Sequence, residues 1–128
     1  GVSYADSLVA VAAAHHRDAA AVGVDVEREP GDGAQRPLHL GALFSPAPAP
    51  DIAGWTLIEA ALKADGRGVA VDFGEVQVEA IGSGRLPAWR VVRLPGRAES
   101  VEAAVVTGPA GFVLSAAMVP AAWERHPA

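Results

Sequence analysis

Beyond Val69 the chain settles into a pattern that few architectures satisfy. Val76, Val78 and Ala80 alternate with Glu75, Gln77 and Glu79, the period of two expected of a strand with one wet face. Three further apolar runs follow at 88–94, 101–107 and 112–119. They are separated by Gly82-Ser83-Gly84, Pro95-Gly96-Arg97 and Gly108-Pro109-Ala110-Gly111, all of them turn chemistry. Connections this short join antiparallel neighbours, so the C-terminal half reads as a β-meander.

The N-terminal half supplies a hairpin and a helix. Residues 7–14 and 19–27 are largely apolar runs on either side of the polar tetrapeptide His15-His16-Arg17-Asp18, which reads as a β-hairpin turn. In the second run Val22, Val24 and Val26 alternate with Gly23, Asp25 and Glu27. Strand geometry sends the valines to the core and both carboxylates to the opposite face. Residues 28–37 are rich in Gly, Pro and charge and read as a loop, and 38–44 has room for about two helical turns before Pro46, Pro48 and Pro50 stop it. Asp51 stands at an N-cap position ahead of Trp55, Ile58 and Leu62, spaced i, i+3, i+7, and Gly66-Arg67-Gly68 ends that helix. The expected fold class is therefore α+β: one domain over 1–128, an antiparallel sheet with one principal helix and a tail from Pro120.

Composition bounds what this domain does. With 128 residues there is room for one core and not for two full domains. The absence of cysteine removes thiol catalysis, disulfides and thiolate metal sites, with a lean towards the cytoplasm. A net charge of -5 without clustered Lys and Arg argues against nucleic acid as a partner. The longest apolar stretch, 8–14, falls well short of the run of about 20 residues that a membrane span needs, so no membrane partner is expected.

Asp25 and Glu27 lie two apart on an extended strand, roughly 6.5 to 7 Å between Cα atoms, and project the same way. Such a pair clamps a hard cation such as magnesium, and it equally describes two solvated acids at a strand end. Glu59 and Lys63 stand at i and i+4 on the helix, a spacing that serves a surface stabilising pair or, alternatively, a third carboxylate with a compact charge for a phosphate. The four histidines, 15, 16, 39 and 126, show no metal-ligand spacing and read as turn or tail residues. Trp55 and Trp89 read as core, and Trp123 as an edge cover.

Taken in order, Gly23-Val24-Asp25-Val26-Glu27, then Trp55-Thr56-Leu57-Ile58-Glu59-Ala60-Ala61-Leu62-Lys63, then Gly66-Arg67-Gly68 resemble the two signature motifs of the phosphopantetheinyl transferase superfamily and the turn that often follows. Leu43-Phe44-Ser45-Pro46 is similar to the family's Phe-Ser-Pro stretch, and the resemblance spans nearly the whole chain, matching the C-terminal lobe of two-lobed members. It implies transfer of 4'-phosphopantetheine from coenzyme A to a serine of an acyl or peptidyl carrier protein. Asp25, Glu27 and Glu59 would then hold Mg2+ against the coenzyme's pyrophosphate. Lys63, Arg28 and Tyr4 would meet coenzyme A, and Glu59 would accept the serine's proton.

The chain also departs from that pattern. Ile58 stands where the helix motif has Lys, and Tyr4 takes the place of the family's His, offering a hydrogen bond without charge. Ala47-Pro48-Ala49-Pro50 lacks the loop Glu implicated as general base. A catalytically impaired homologue that binds coenzyme A, a carrier protein or a partner chain is the alternative. Because family sites lie between two lobes or between subunits, a working site here is expected to need a homo-oligomer or an N-terminal lobe.

Overall fold

A computed structural model describes residues 1–29, 42–66, 71–80 and 89–121. In chain order the elements are β1 (Val2–Ala5), β2 (Leu8–Val11), β3 (Ala19–Arg28), helix α1 (Ile52–Asp65), a 3-10 turn (Phe73–Glu75), β4 (Gln77–Ala80), β5 (Trp89–Arg93), β6 (Val101–Val106) and β7 (Phe112–Pro120). Strands β3 to β7 form an antiparallel five-stranded sheet in the order β3-β7-β6-β5-β4, and β1 and β2 form a separate two-stranded ribbon. The α+β class and the C-terminal meander follow the alternation in the sequence. The turn assigned to 82–84, the loop over 30–37, residues 38–41 of the short helical segment, Arg67-Gly68, the tail beyond 121 and His39, Trp123 and His126 lie outside the described residues.

One expectation needs correction. Residues 7–14 and 19–27 do not form a hairpin with each other. β2 turns back on β1, with Val2 opposite Val11 and Tyr4 opposite Val9, through a tight turn in which Asp6 takes a positive φ of 51°. The tetrapeptide after β2 does reverse the chain, Asp18 N donating to His15 O at 2.8 Å. β3 then leaves that ribbon and pairs along its length with β7, Asp25 opposite Ser115 and Val26 opposite Leu114.

Both faces of β3 are covered, which is why it departs. Val24 and Val26 pack with Ala10, flanked by Ala5, Leu8, Phe112 and Leu114, in a small core beneath the ribbon. The valines thus face a core, but the lesser of two. The opposite face, carrying Gly23 and Asp25, lies under α1, where Leu57, Ile58, Leu62, Phe44, Phe73, Val92, Val101 and Val119 build the main core. Each such side chain contributes roughly 1.5 to 3 kcal/mol on full burial. Small residues set the spacing: Ala60, Ala61, Ala103 and Ala104 are wholly buried, and a Cβ at Gly23 would stand 2.1 Å from Ala60 O and 2.6 Å from Ala64 N. Helix backbone and strand backbone meet here without a side chain between them.

The helix ends where its sequence signals place it. Asp51 Oδ1 accepts from Gly54 N at 2.8 Å, and Gly66, in the left-handed region at φ 86°, donates its N–H to Leu62 O. Trp55 packs between Phe44 and Phe73, with ring centroids 6.1 and 5.7 Å away. The C-terminal turn of α1 is tied to the β5–β6 connection by Arg97 Nη1, which donates to Asp65 Oδ1 at 2.6 Å. The Asp65 side chain is only 1% exposed, so Arg97→Ala removes a charge-assisted bond from a dry carboxylate. We expect a loss of about 2 kcal/mol in chemical denaturation; a loss below a few tenths would mean that the bridge contributes nothing to the helix–sheet junction.

Candidate functional site

The site grows from the Gly23 contact. Because α1 rests directly on β3 at that point, the Lys63 side chain leaves the helix beside the strand, its Cβ within 3.1 Å of where a Gly23 Cβ would lie. Two residues along β3, on the same face, is Asp25. Lys63 Nζ donates to Asp25 Oδ1 at 3.1 Å. The carboxylate is 5% exposed and the lysine 38%, so one end of the pair is dry and the other opens to water. Asp25 is therefore not a solvated strand-end acid.

Ser3 on β1 completes the contact. Its hydroxyl lies 3.3 Å from Asp25 Oδ1 and 3.2 Å from Lys63 Nζ, and it accepts from Val26 N at 3.1 Å. Ser3 is buried while Tyr4, the next residue on the strand, is 72% exposed. Strand alternation sends Tyr4 to the outer face of the ribbon. The structure thus brings a hydroxyl from this segment to the carboxylate, but the one belonging to Ser3.

Glu27 and Glu59 border the same pocket of charge. Burial raises the Asp25 carboxyl above its ordinary value, while hydrogen bonds from Lys63 and Ser3 and the charge of Lys63 pull it back without cancelling the rise. Glu59 is also raised, first by burial and then by the negative charge of Asp25, with Lys63 opposing and Glu27 adding to the effect. Asp25 Oδ2 is buried and has no hydrogen-bond partner among the described residues. That oxygen calls for a proton or a cation.

Arg28 stands apart. It follows Val24 and Val26 in parity, so it projects from the other face of β3, where it pairs with Asp6 and lies over the Phe112 ring at 5.8 Å. Behind Asp25, its cross-strand neighbour Ser115 is wholly buried and shares a 2.9 Å hydrogen bond with Thr56 Oγ1 on α1. This neutral link holds the helix to β7 one step inside the charged group. Neither Ser115 nor Thr56 carries a charge or a motif position that would single it out in the sequence.

Oxygen donors alone, one of them buried and unpartnered, suit a hard divalent ion better than a soft one. Among the described residues, however, no three His, Asp or Glu side chains converge closely enough to hold a metal without rearrangement. Lys63 supplies the positive charge within the group as it stands. Among the described residues no helix is long and apolar enough to cross a membrane. Comparison of the chain with protein-family models, with curated proteins and with solved structures finds no match.

Proposed function

We propose that this chain is a phosphopantetheinyl transferase lobe that moves 4'-phosphopantetheine from coenzyme A to a serine of an acyl or peptidyl carrier protein, in the cytoplasm and with Mg2+. The observation that carries the reading is the meeting of Asp25 from β3 with Lys63 from α1, within the electrostatic reach of Glu27 and Glu59. These are the four charged positions at which the sequence resembles that family's motifs.

In this reading Asp25 Oδ2, Glu27 and Glu59, drawn closer together than they stand here, would hold the ion, which would neutralise pyrophosphate charge. Lys63, with its ammonium at the water-exposed end of its pair with Asp25, supplies a positive charge to the coenzyme's phosphates. Glu59, whose carboxyl is raised by burial and by Asp25, accepts the proton of the carrier-protein serine as that hydroxyl attacks phosphorus and 3',5'-ADP departs. Arg28 and Tyr4 project away from this group, so coenzyme contacts beyond Lys63 fall to a second copy of the chain or to an additional lobe.

A second reading, a catalytically impaired homologue that binds coenzyme A, carrier protein or a partner chain, draws on Ile58. Its side chain is 4% exposed in the main core, so the position at which the family carries Lys contributes no charge here. One assay separates the two. Purified protein, coenzyme A, Mg2+ and an apo carrier protein are combined, and intact mass of the carrier is followed. Transfer predicts the phosphopantetheine mass gain and its loss on chelation. Binding of coenzyme A, carrier protein or a partner chain without mass gain selects the second reading, and the absence of both transfer and binding overturns both.

A further inference from the structure

We propose that Ser3 is a positioning residue for the charged group, assigning the two oxygens of Asp25 to different tasks; the inference rests on the reading of Asp25 and Lys63 given above. A hydroxyl has one proton to donate and two lone pairs to accept with. Ser3 Oγ has three partners, Asp25 Oδ1, Val26 N and Lys63 Nζ, at 3.3, 3.1 and 3.2 Å. Only one assignment satisfies all of them. The backbone N–H and the ammonium donate, so the hydroxyl proton goes to Asp25 Oδ1, and the full capacity of the group is used.

Two consequences follow from that saturation. Asp25 Oδ1 receives both Ser3 and Lys63, which fixes the carboxylate's rotation and turns the unpartnered Oδ2 away from them. Lys63 Nζ, with two acceptors at fixed places, is held although its side chain is more than a third exposed. The ribbon thus reaches the site through the Ser3 hydroxyl. Because Val26 N is a backbone group of β3 and Ser3 belongs to β1, the hydroxyl also registers the ribbon against the strand that bears Asp25 and Glu27. Loss of the hydroxyl leaves Oδ1 with a single donor and frees the carboxylate to turn, so that Oδ2 can take the lysine instead.

Ser3→Thr and Ser3→Val make the decisive pair. They share shape and differ only in hydroxyl against methyl, so any strain from the added volume cancels between them, and both are checked for folding by circular dichroism. The primary readout is the Lys63 ammonium signal in proton–nitrogen correlation spectra at low temperature, assigned by its absence in Lys63→Arg. A held ammonium exchanges slowly and gives a resolved peak. Wild type and Ser3→Thr are expected to show it, and Ser3→Val is expected to lose it or to broaden it severely. A Ser3→Val spectrum that keeps the wild-type peak overturns the proposal, because Lys63 would then be held without the hydroxyl.

Binding of Mn2+, followed by its electron paramagnetic resonance signal, is the second arm. Its affinity should fall roughly tenfold or more in Ser3→Val relative to Ser3→Thr, as for loss of an outer partner of a metal ligand. Absence of Mn2+ binding in the wild type counts against the metal reading itself, while the ammonium signal still decides the role of Ser3.

Discussion

Gly23→Ala should lower stability by upwards of about 3 kcal/mol, the upper end of what overpacking does in a close-packed interior. The atom added would stand 2.1 Å from Ala60 O and 2.6 Å from Ala64 N, both of them backbone, so no side chain can rotate away. Relief requires α1 to lift from β3. That movement would open the main core under Leu57, Ile58 and Leu62 and draw Lys63 away from Asp25. A loss of this size corresponds to a fall of roughly 10 °C in Tm for a domain of this length. Gly66→Ala serves as the comparison. It has nothing within 4 Å but sits at φ 86°, so its penalty is conformational alone, about 1 kcal/mol. If the two variants unfold at the same temperature, the direct backbone contact between helix and strand does not exist in solution.

That contact explains why part of the site was readable from the sequence and part was not. Asp51 and Gly66 cap α1 as their positions suggest, because capping is settled within four residues of chain. The pairing of β3 is settled far away, by β7. Alternation along 19–28 identifies a strand but cannot say that both of its faces will be buried, and so it does not predict that the carboxylate face is the one under the helix. The polar tetrapeptide at 15–18 makes a real turn and still joins strands that do not pair with each other.

Within the site, Asp25, Glu59 and Lys63 were visible as motif positions, and the structure gathers them. Arg28 carried its own warning, since its parity with Val24 and Val26 already put it on the other face from Asp25. Ser3 and Tyr4 differ by one residue in a strand of four, too short for alternation to declare which side faces inward. Ser115 and Thr56 are uncharged and separated by 59 residues. Only the pairing of Asp25 with Ser115 across β3 and β7 reveals why a hydroxyl is needed there.

Asp25→Asn should move activity and stability in opposite directions. In the folded protein the Asp25 carboxyl titrates above its ordinary value of 3.8, with burial the largest cause. The folded state therefore keeps a proton that the unfolded chain has already released. Stability from this group is fullest in acid and declines as pH climbs from that ordinary value through the raised one. Asparagine has no charge to desolvate, and its amide offers a donor at the position where Oδ2 has none. At neutral pH we expect Asp25→Asn to be more stable than the wild type by about 1 kcal/mol, the scale of an unsatisfied buried polar atom. The difference should shrink towards zero near the acid limit, and Glu59, which burial also raises, contributes a slope of the same sign. On the proposed function, phosphopantetheine transfer, by contrast, should fall by roughly a hundredfold or more, equivalent to about 3 kcal/mol of lost charge stabilisation. Denaturant unfolding across the acid-to-neutral range, set beside the mass assay, tests both halves. A variant less stable than the wild type at neutral pH would mean that Lys63 more than repays the burial of Asp25. The carboxylate would then be a structural ion pair rather than a group held at a cost to stability for its chemistry.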